Sequence, residues 1–234
     1  MNVVLVHGAW ADGSSWSGVI KMLQARGHRA VAVQLPMTSL EADVDSTRRA
    51  IVKAGASVVV GHSYGGLVMS VAATDTPTVR ALVFVAAYAP MPGESIASIS
   101  HTAAEMPGGQ AIIYGDDGWT SVDIDRYGAA LGADLPTPTQ QLLAAVQGPT
   151  HVSCLITPAT DIAWKSLSCH YVVSTDDKIL DPALQYQFAH RTAARVTEVA
   201  GSHLALLSHP KAVADAIEAS RAEENQANSR TREG

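Results

Sequence analysis

The chain has 234 residues, 47% of them hydrophobic and 16% charged, and a formal net charge of −6. That length suits one domain with a sizeable core. The composition excludes a disordered chain, and the acidic balance gives no basic footprint for nucleic acid. No run of 18 or more apolar residues occurs, so no membrane span is expected. Cys154 and Cys169 are too few for a disulfide scaffold and read as two reduced, half-buried thiols. The nine histidines form no His-Glu-x-x-His cluster or similar spacing, so neither a metal nor a cofactor is expected. Met1 is followed at once by a strand-like run with no basic segment ahead of it, which predicts a cytoplasmic protein without a secretory signal.

Strand and helix alternate from the start. A strand is predicted over Val3–His7, then an amphipathic helix over Ser15–Arg26 closed by Gly27. A strand over Ala30–Gln34 follows, then a helix over Leu40–Ala54 ending at Gly55. Next come a strand over Ser57–Gly61, a helix over Tyr64–Thr74 and an apolar strand over Val79–Ala86. Such continuously apolar strands suit a parallel sheet buried on both faces. The alternation then breaks. Residues 90–165 are rich in Gly, Pro, Ser and Thr, with only short helical stretches such as Pro138–Val146, and read as an insertion into one core made of residues 1–89 and 166–222. Order resumes with strand His170–Ser174, helix Pro182–Ala194, strand Arg195–Val199 and helix Pro210–Arg221, with Pro210 in the first turn. Residues 223–234 are polar and unpatterned and read as a flexible tail. The fold class is therefore α/β, a mostly parallel sheet of about six strands with an inserted cap. In such sheets the site lies beyond the carboxyl ends of the strands.

Three segments reach that edge. Gly61-His62-Ser63-Tyr64-Gly65 lies between an apolar strand and a helix, the context of a nucleophile elbow. The serine needs a sharp turn that lifts its hydroxyl clear of the sheet, and the glycines are small because a Cβ would strike neighbouring backbone. The helix that starts there points its amide end at developing negative charge. Val6-His7-Gly8-Ala9-Trp10 ends the first strand, where a tight turn can aim a backbone amide at a substrate oxygen. Gly201-Ser202-His203 follows the last strand, where a histidine can reach the serine as a general base. An acid is expected between serine and histidine in the chain. In Ser174-Thr175-Asp176-Asp177-Lys178 two aspartates compete for that role, the other being a solvated turn residue.

Together these motifs, with Gly66 and Ile179 beside them, resemble the α/β-hydrolase superfamily. More narrowly they resemble small-capped esterases related to plant methylesterases and hydroxynitrile lyases. The resemblance spans nearly the whole core and is weakest over the insertion. It implies Ser63 as nucleophile, His203 as base and Asp177 rather than Asp176 as the acid. It implies the amides of Ala9 and Tyr64 as the oxyanion hole. The reaction implied is cleavage of a carboxylic ester or lactone through an acyl-serine, with a lyase or a hydrolase-fold receptor as rivals. In the lyases of this group a threonine follows the position of His7 and a lysine follows the histidine; here those positions are Gly8 and Leu204. Trp10, Trp119, Tyr127 and Trp164 are candidate walls of the acyl pocket, together with Met106 and Tyr114. His7 is expected to support its turn and His62 to pack or line the pocket. His101, His151, His170, His190 and His209 are expected at the surface. The partner expected is a small apolar ester or lactone, with no nucleic acid and no membrane; the sequence leaves monomer and homodimer open.

Overall fold

The computed structural model describes the backbone of residues 1–230 and the side chains of residues 1–220. The central sheet is built from β1 (Asn2–Val6), β2 (Arg29–Ala32), β3 (Val58–His62), β4 (Ala81–Val85), and, after the insertion, two more strands introduced below. Between these lie α1 (Ser17–Ala25), α2 (Leu40–Ala54) and α3 (Tyr64–Ala72). The insertion carries α4 (Ile96–Thr102), β5 (Ile112–Tyr114), β6 (Trp119–Val122), α5 (Tyr127–Leu131), α6 (Thr137–Val146), β7 (Thr150–His151) and α7 (Val152–Ile156). The chain then returns to the core as β8 (Ser168–Ser174), α8 (Pro182–Arg191), β9 (Arg195–Val199), α9 (Ala205–Ser208) and α10 (Pro210–Arg230).

Six strands pair in parallel in the order β2-β1-β3-β4-β8-β9. The four inner strands are buried along almost their whole length, whereas the edge strands β2 and β9 are largely open to solvent. This is why the inner strands read as near-continuous Val/Leu/Ala runs. Each fully buried Val, Leu or Phe side chain contributes about 1.5–3 kcal/mol. His170 is a correction: expected at the surface, it lies buried in β8 with Nε2 2.9 Å from Thr197 Oγ1.

Local signals place the helices. Ser39 caps α2 by accepting from the Ala42 amide, and Gly55 ends it. The start of α1 is tighter than the expected single helix: Gly13–Trp16 forms a 3₁₀ turn capped by Asp12. The last helix runs on to Arg230, past the end expected at Arg221, so most of the segment read as a tail continues it; residues 231–234 lie outside the described residues. The insertion holds more order than its composition suggests, because β5, β6 and β7 form a separate antiparallel sheet.

The chain turns from β1 outward to β2 and then back to β3, so the strand order reverses between β1 and β3. Val6 and Gly61 are paired in register there. The loops after β1 and β3 therefore diverge around a crevice at the carboxyl edge, where ligands bind in open sheets of this kind.

Candidate active site

Ser63 follows β3 directly and starts α3 in a strained conformation, φ 51° and ψ −122°. A non-glycine residue at positive φ costs of order 1–3 kcal/mol and persists only where its surroundings fix it. Here close backbone packing does so. A Cβ on Gly65 would sit 2.4 Å from the Val6 carbonyl oxygen and 2.7 Å from that of His7. Only glycine lets the elbow press this tightly against β1.

His203 lies four residues beyond β9 and Asp177 three beyond β8, so both loops open at the edge where Ser63 stands. The Ser63 hydroxyl donates to His203 Nε2 at 2.9 Å, and His203 Nδ1–H donates to Asp177 Oδ2 at 2.7 Å. All three residues are buried. Asp177 accepts three further N–H groups: the amides of Ile179 and Leu180 on Oδ1, at 2.8 and 2.9 Å, and Gln185 Nε2 on Oδ2 at 2.9 Å. Four converging donors suit a group that only accepts. Asp176, by contrast, is exposed. Gln185 escaped the sequence reading. It is a completely buried amide on α8, also bonded to the Ser174 amide and the Leu180 carbonyl, and a lone Gln in a helical run carries no signal of such a role.

Two more histidines frame the arrangement. The Leu35 amide donates to His7 Nε2 at 3.1 Å, which leaves the ring proton on Nδ1, and this donates to the Gly8 carbonyl at 2.8 Å. His62 donates Nε2–H to the His203 carbonyl at 2.8 Å, its ring centre 4.8 Å from that of His203. Burial holds both imidazoles below the ordinary histidine value, His62 strongly and with the neighbouring His203 adding to the effect. Their stability contribution has a definite sign. The unfolded chain takes up these protons near pH 6.5 while the folded chain refuses them, so stability is complete above that pH and declines as pH falls below it. Each ring adds a slope of up to about 1.4 kcal/mol per pH unit. Thermal melts between pH 7.5 and 5 should therefore show Tm flat and then falling below about 6.5. A His62→Gln variant should fall less steeply; an unchanged slope would contradict the assignment.

A carboxylate that sequence reasoning missed also supports the elbow. Asp43 of α2 is fully buried and accepts from the Tyr64 hydroxyl at 2.7 Å and from the Met37 amide at 2.8 Å, with Cys154 Sγ at 3.5 Å. Burial pushes its carboxyl above the usual range. Cys154 and Cys169 are free, buried rather than half-buried, and burial pushes each thiol up to about 12, so neither is a thiolate at neutral pH.

Ser63 opens into a cavity of about 490 Å³, bordered by Ala9 and Tyr64. Its apolar walls include Ile96, Met106, Ile112, Leu155, Ile179 and Leu184. Trp10, Tyr114 and His101 also line it. Trp119, Tyr127 and Trp164 do not. Trp164 donates its indole N–H to the Pro90 carbonyl at 2.9 Å, Tyr127 its hydroxyl to the Trp10 carbonyl at 3.4 Å, and Trp119 packs edge-on against His151. These rings serve packing. Among the described residues no group of three or more His, Cys, Asp or Glu could hold a metal, and no helix is long and apolar enough to cross a membrane.

A six-stranded parallel sheet carrying a Ser–His–Asp hydrogen-bonded chain beyond its carboxyl edge, in the order Ser, Asp, His, is the arrangement of an α/β hydrolase. The sequence comparisons agree. The family model described as "Alpha/beta hydrolase family" matches residues 3–216, and the chain belongs to that family. It is 26% identical to Alpha/beta hydrolase nvfD of Aspergillus novofumigatus, over 90% of this chain and 92% of that one. It is 25% identical to the Alpha-hydroxynitrile lyase of Arabidopsis thaliana, over 92% and 95%. Among solved structures, a pyrethroid hydrolase from Sphingobium faniae superposes with a TM-score of 0.80 at 22% identity, covering 93% of this chain and 96% of that chain.

Proposed function

We propose that the protein is a serine hydrolase that cleaves a carboxylic ester through an acyl-serine intermediate. The observation that carries this reading is the unbroken hydrogen-bonded chain Asp177–His203–Ser63 opening into an apolar cavity. His203 takes the Ser63 proton as the hydroxyl attacks the carbonyl carbon. The Ala9 and Tyr64 amides receive the oxyanion, and the amino end of α3 adds its dipole. Asp177 fixes the imidazole tautomer and stabilises the imidazolium. His203 then protonates the leaving alcohol, and a water activated by the same imidazole releases the acid. Within the cap insertion of residues 90–165, residues 96–114 and 152–156 cover the acyl site. A cavity near 490 Å³ within apolar walls suits a compact apolar ester or lactone.

Relatives include both an esterase and a lyase: a Carbendazim hydrolyzing esterase of Nocardioides is 30% identical over 42% of this chain and 46% of that one, and the match to the Arabidopsis lyase spans nearly the whole chain. The site favours hydrolysis over cyanohydrin cleavage. A Cβ at Gly8 would lie 2.8 Å from the Ser63 Cβ, so this backbone has no room for the lyases' threonine. Leu204 is buried and supplies no cation for departing cyanide. The expected result is measurable hydrolysis of short p-nitrophenyl esters and no mandelonitrile cleavage above background, read on one preparation with a lactone alongside. Cyanide release without ester turnover would overturn the reading, and a receptor would turn over none of the three.

A further inference from the structure

The insertion divides into two parts with different neighbours. Its first stretch, residues 96–114, and its last, from Val152 to Ile156, supply cavity walls. No residue from 115 to 151 lines the cavity. That middle part, which holds β6, α5, α6 and β7, bonds instead to the core loops that carry the site.

Its main attachment is to Trp10. Trp10 stands at φ 55°, a conformation rare for a bulky residue, and it follows Ala9 directly. Its amide donates to Thr150 Oγ1 at 3.1 Å and its indole N–H to Thr120 Oγ1 at 3.0 Å. The Thr120 hydroxyl in turn donates to the Thr150 carbonyl at 2.8 Å. Both threonines are buried, at 1% exposure or less. Packing alone would be served by valine at both places, since burying a hydroxyl costs free energy that its hydrogen bonds must offset. Here the bonds run to the residue beside Ala9.

Ala9 is thereby gripped through both of its peptide groups. On one side the Gly8 carbonyl is held by His7 Nδ1–H, and in a trans peptide the Ala9 N–H points the opposite way, away from His7. On the other side the Trp10 amide is held by Thr150. With both planes fixed, the Ala9 amide has little freedom to turn.

We propose that Thr150, supported by Thr120, is a positioning residue for ester hydrolysis: through Trp10 it keeps the Ala9 amide aimed at the oxyanion. The middle of the insertion then belongs to the catalytic frame, not to substrate selection. This rests on the reading of Ala9 as an oxyanion donor in a serine esterase.

The test compares Thr150→Val and Thr150→Ser with wild type and Ser63→Ala. It uses a short p-nitrophenyl ester and an alkyl trifluoromethyl ketone, whose hemiketal with Ser63 places an oxyanion in the same hole. Outright loss of one oxyanion donor costs about 10²–10³ in kcat, so a misaimed one should cost roughly tenfold or somewhat more. Thr150→Val should lose that factor in kcat with KM within about twofold, and trifluoromethyl ketone affinity should fall by a similar factor. Thr150→Ser, which keeps the hydroxyl, should recover to within about threefold of wild type. If Thr150→Val does not fold, Thr120→Val carries the same readouts with a smaller loss. A valine variant with wild-type kcat and ketone affinity overturns the proposal, as does a loss confined to KM or a serine variant no better than the valine. Absence of wild-type ester turnover, or full activity in Ser63→Ala, defeats the functional reading itself, and the proposal falls with it.

Discussion

Replacing Ser63 by alanine is expected to reduce ester turnover by on the order of 10⁴ or more in kcat while leaving the fold intact. The loss follows from position. Ser63 Oγ is the hydroxyl that His203 Nε2 meets, 2.9 Å away, in the wall of the cavity. In the proposed mechanism no acyl-enzyme then forms, and water must attack the ester directly, with His203 as its base and the proposed oxyanion amides of Ala9 and Tyr64 on the carbonyl. The fold should survive because alanine keeps the Cβ that the elbow already accommodates and removes one oxygen. The strained φ of 51° is enforced by β1 packed against Gly65, which the substitution does not touch. The variant should therefore melt within a few degrees of wild type and bind a slowly hydrolysed ester with unchanged affinity. Turnover near the wild-type level in a correctly folded Ser63→Ala protein would remove the nucleophile from the mechanism.

What the sequence reveals here depends on how local the determining physics is. The inner strands were legible because burial on both faces demands unbroken apolar runs, and α2 was legible because its pattern runs from Leu40 to a stop at Gly55. The elbow was legible because its glycines answer to backbone contacts only 2.4–2.5 Å from an added Cβ, a requirement few other residues can meet. Features set by distant partners were not. The strands β5, β6 and β7 are two to four residues long, too short for a period-2 pattern to show. Trp119, Tyr127 and Trp164 look like pocket walls in a sequence, yet a buried indole or phenol also needs a partner for its polar end, and in Trp164 and Tyr127 that need is met by the backbone carbonyls of Pro90 and Trp10. Asp43 and Gln185 carry no signal in the sequence, because nothing nearby in the chain announces that Tyr64 or Asp177 will arrive to bond them. The choice between Asp176 and Asp177 could not be made from spacing. The resemblance favoured Asp177, and only Asp177 is buried against His203.

Asp177→Asn is expected to lower kcat by about 10⁴, and Asp176→Asn to change it by less than about twofold. The asymmetry follows from the donors around Asp177. Its Oδ1 faces the Ile179 and Leu180 amides, and its Oδ2 faces Gln185 Nε2 and His203 Nδ1. An asparagine must place its NH₂ on one of these two sides. Turned toward the loop, it sets two donors against two backbone N–H groups that cannot move. Turned toward His203, it meets another donor unless the imidazole shifts its proton to Nε2. In that tautomer Nε2 can no longer accept the Ser63 proton, and no carboxylate remains to stabilise the imidazolium. The loss should therefore fall on kcat with little change in KM, because the cavity walls are untouched. It should also ease at high pH, where hydroxide can stand in for the missing base. Asp176 sits on the exposed side of the same turn, where an amide replaces a carboxylate at little cost. Steady-state kinetics of both variants between pH 6 and 10 decide the matter. A crippled Asp176→Asn beside an active Asp177→Asn would mean that the bond between Asp177 and His203 is not the one catalysis uses.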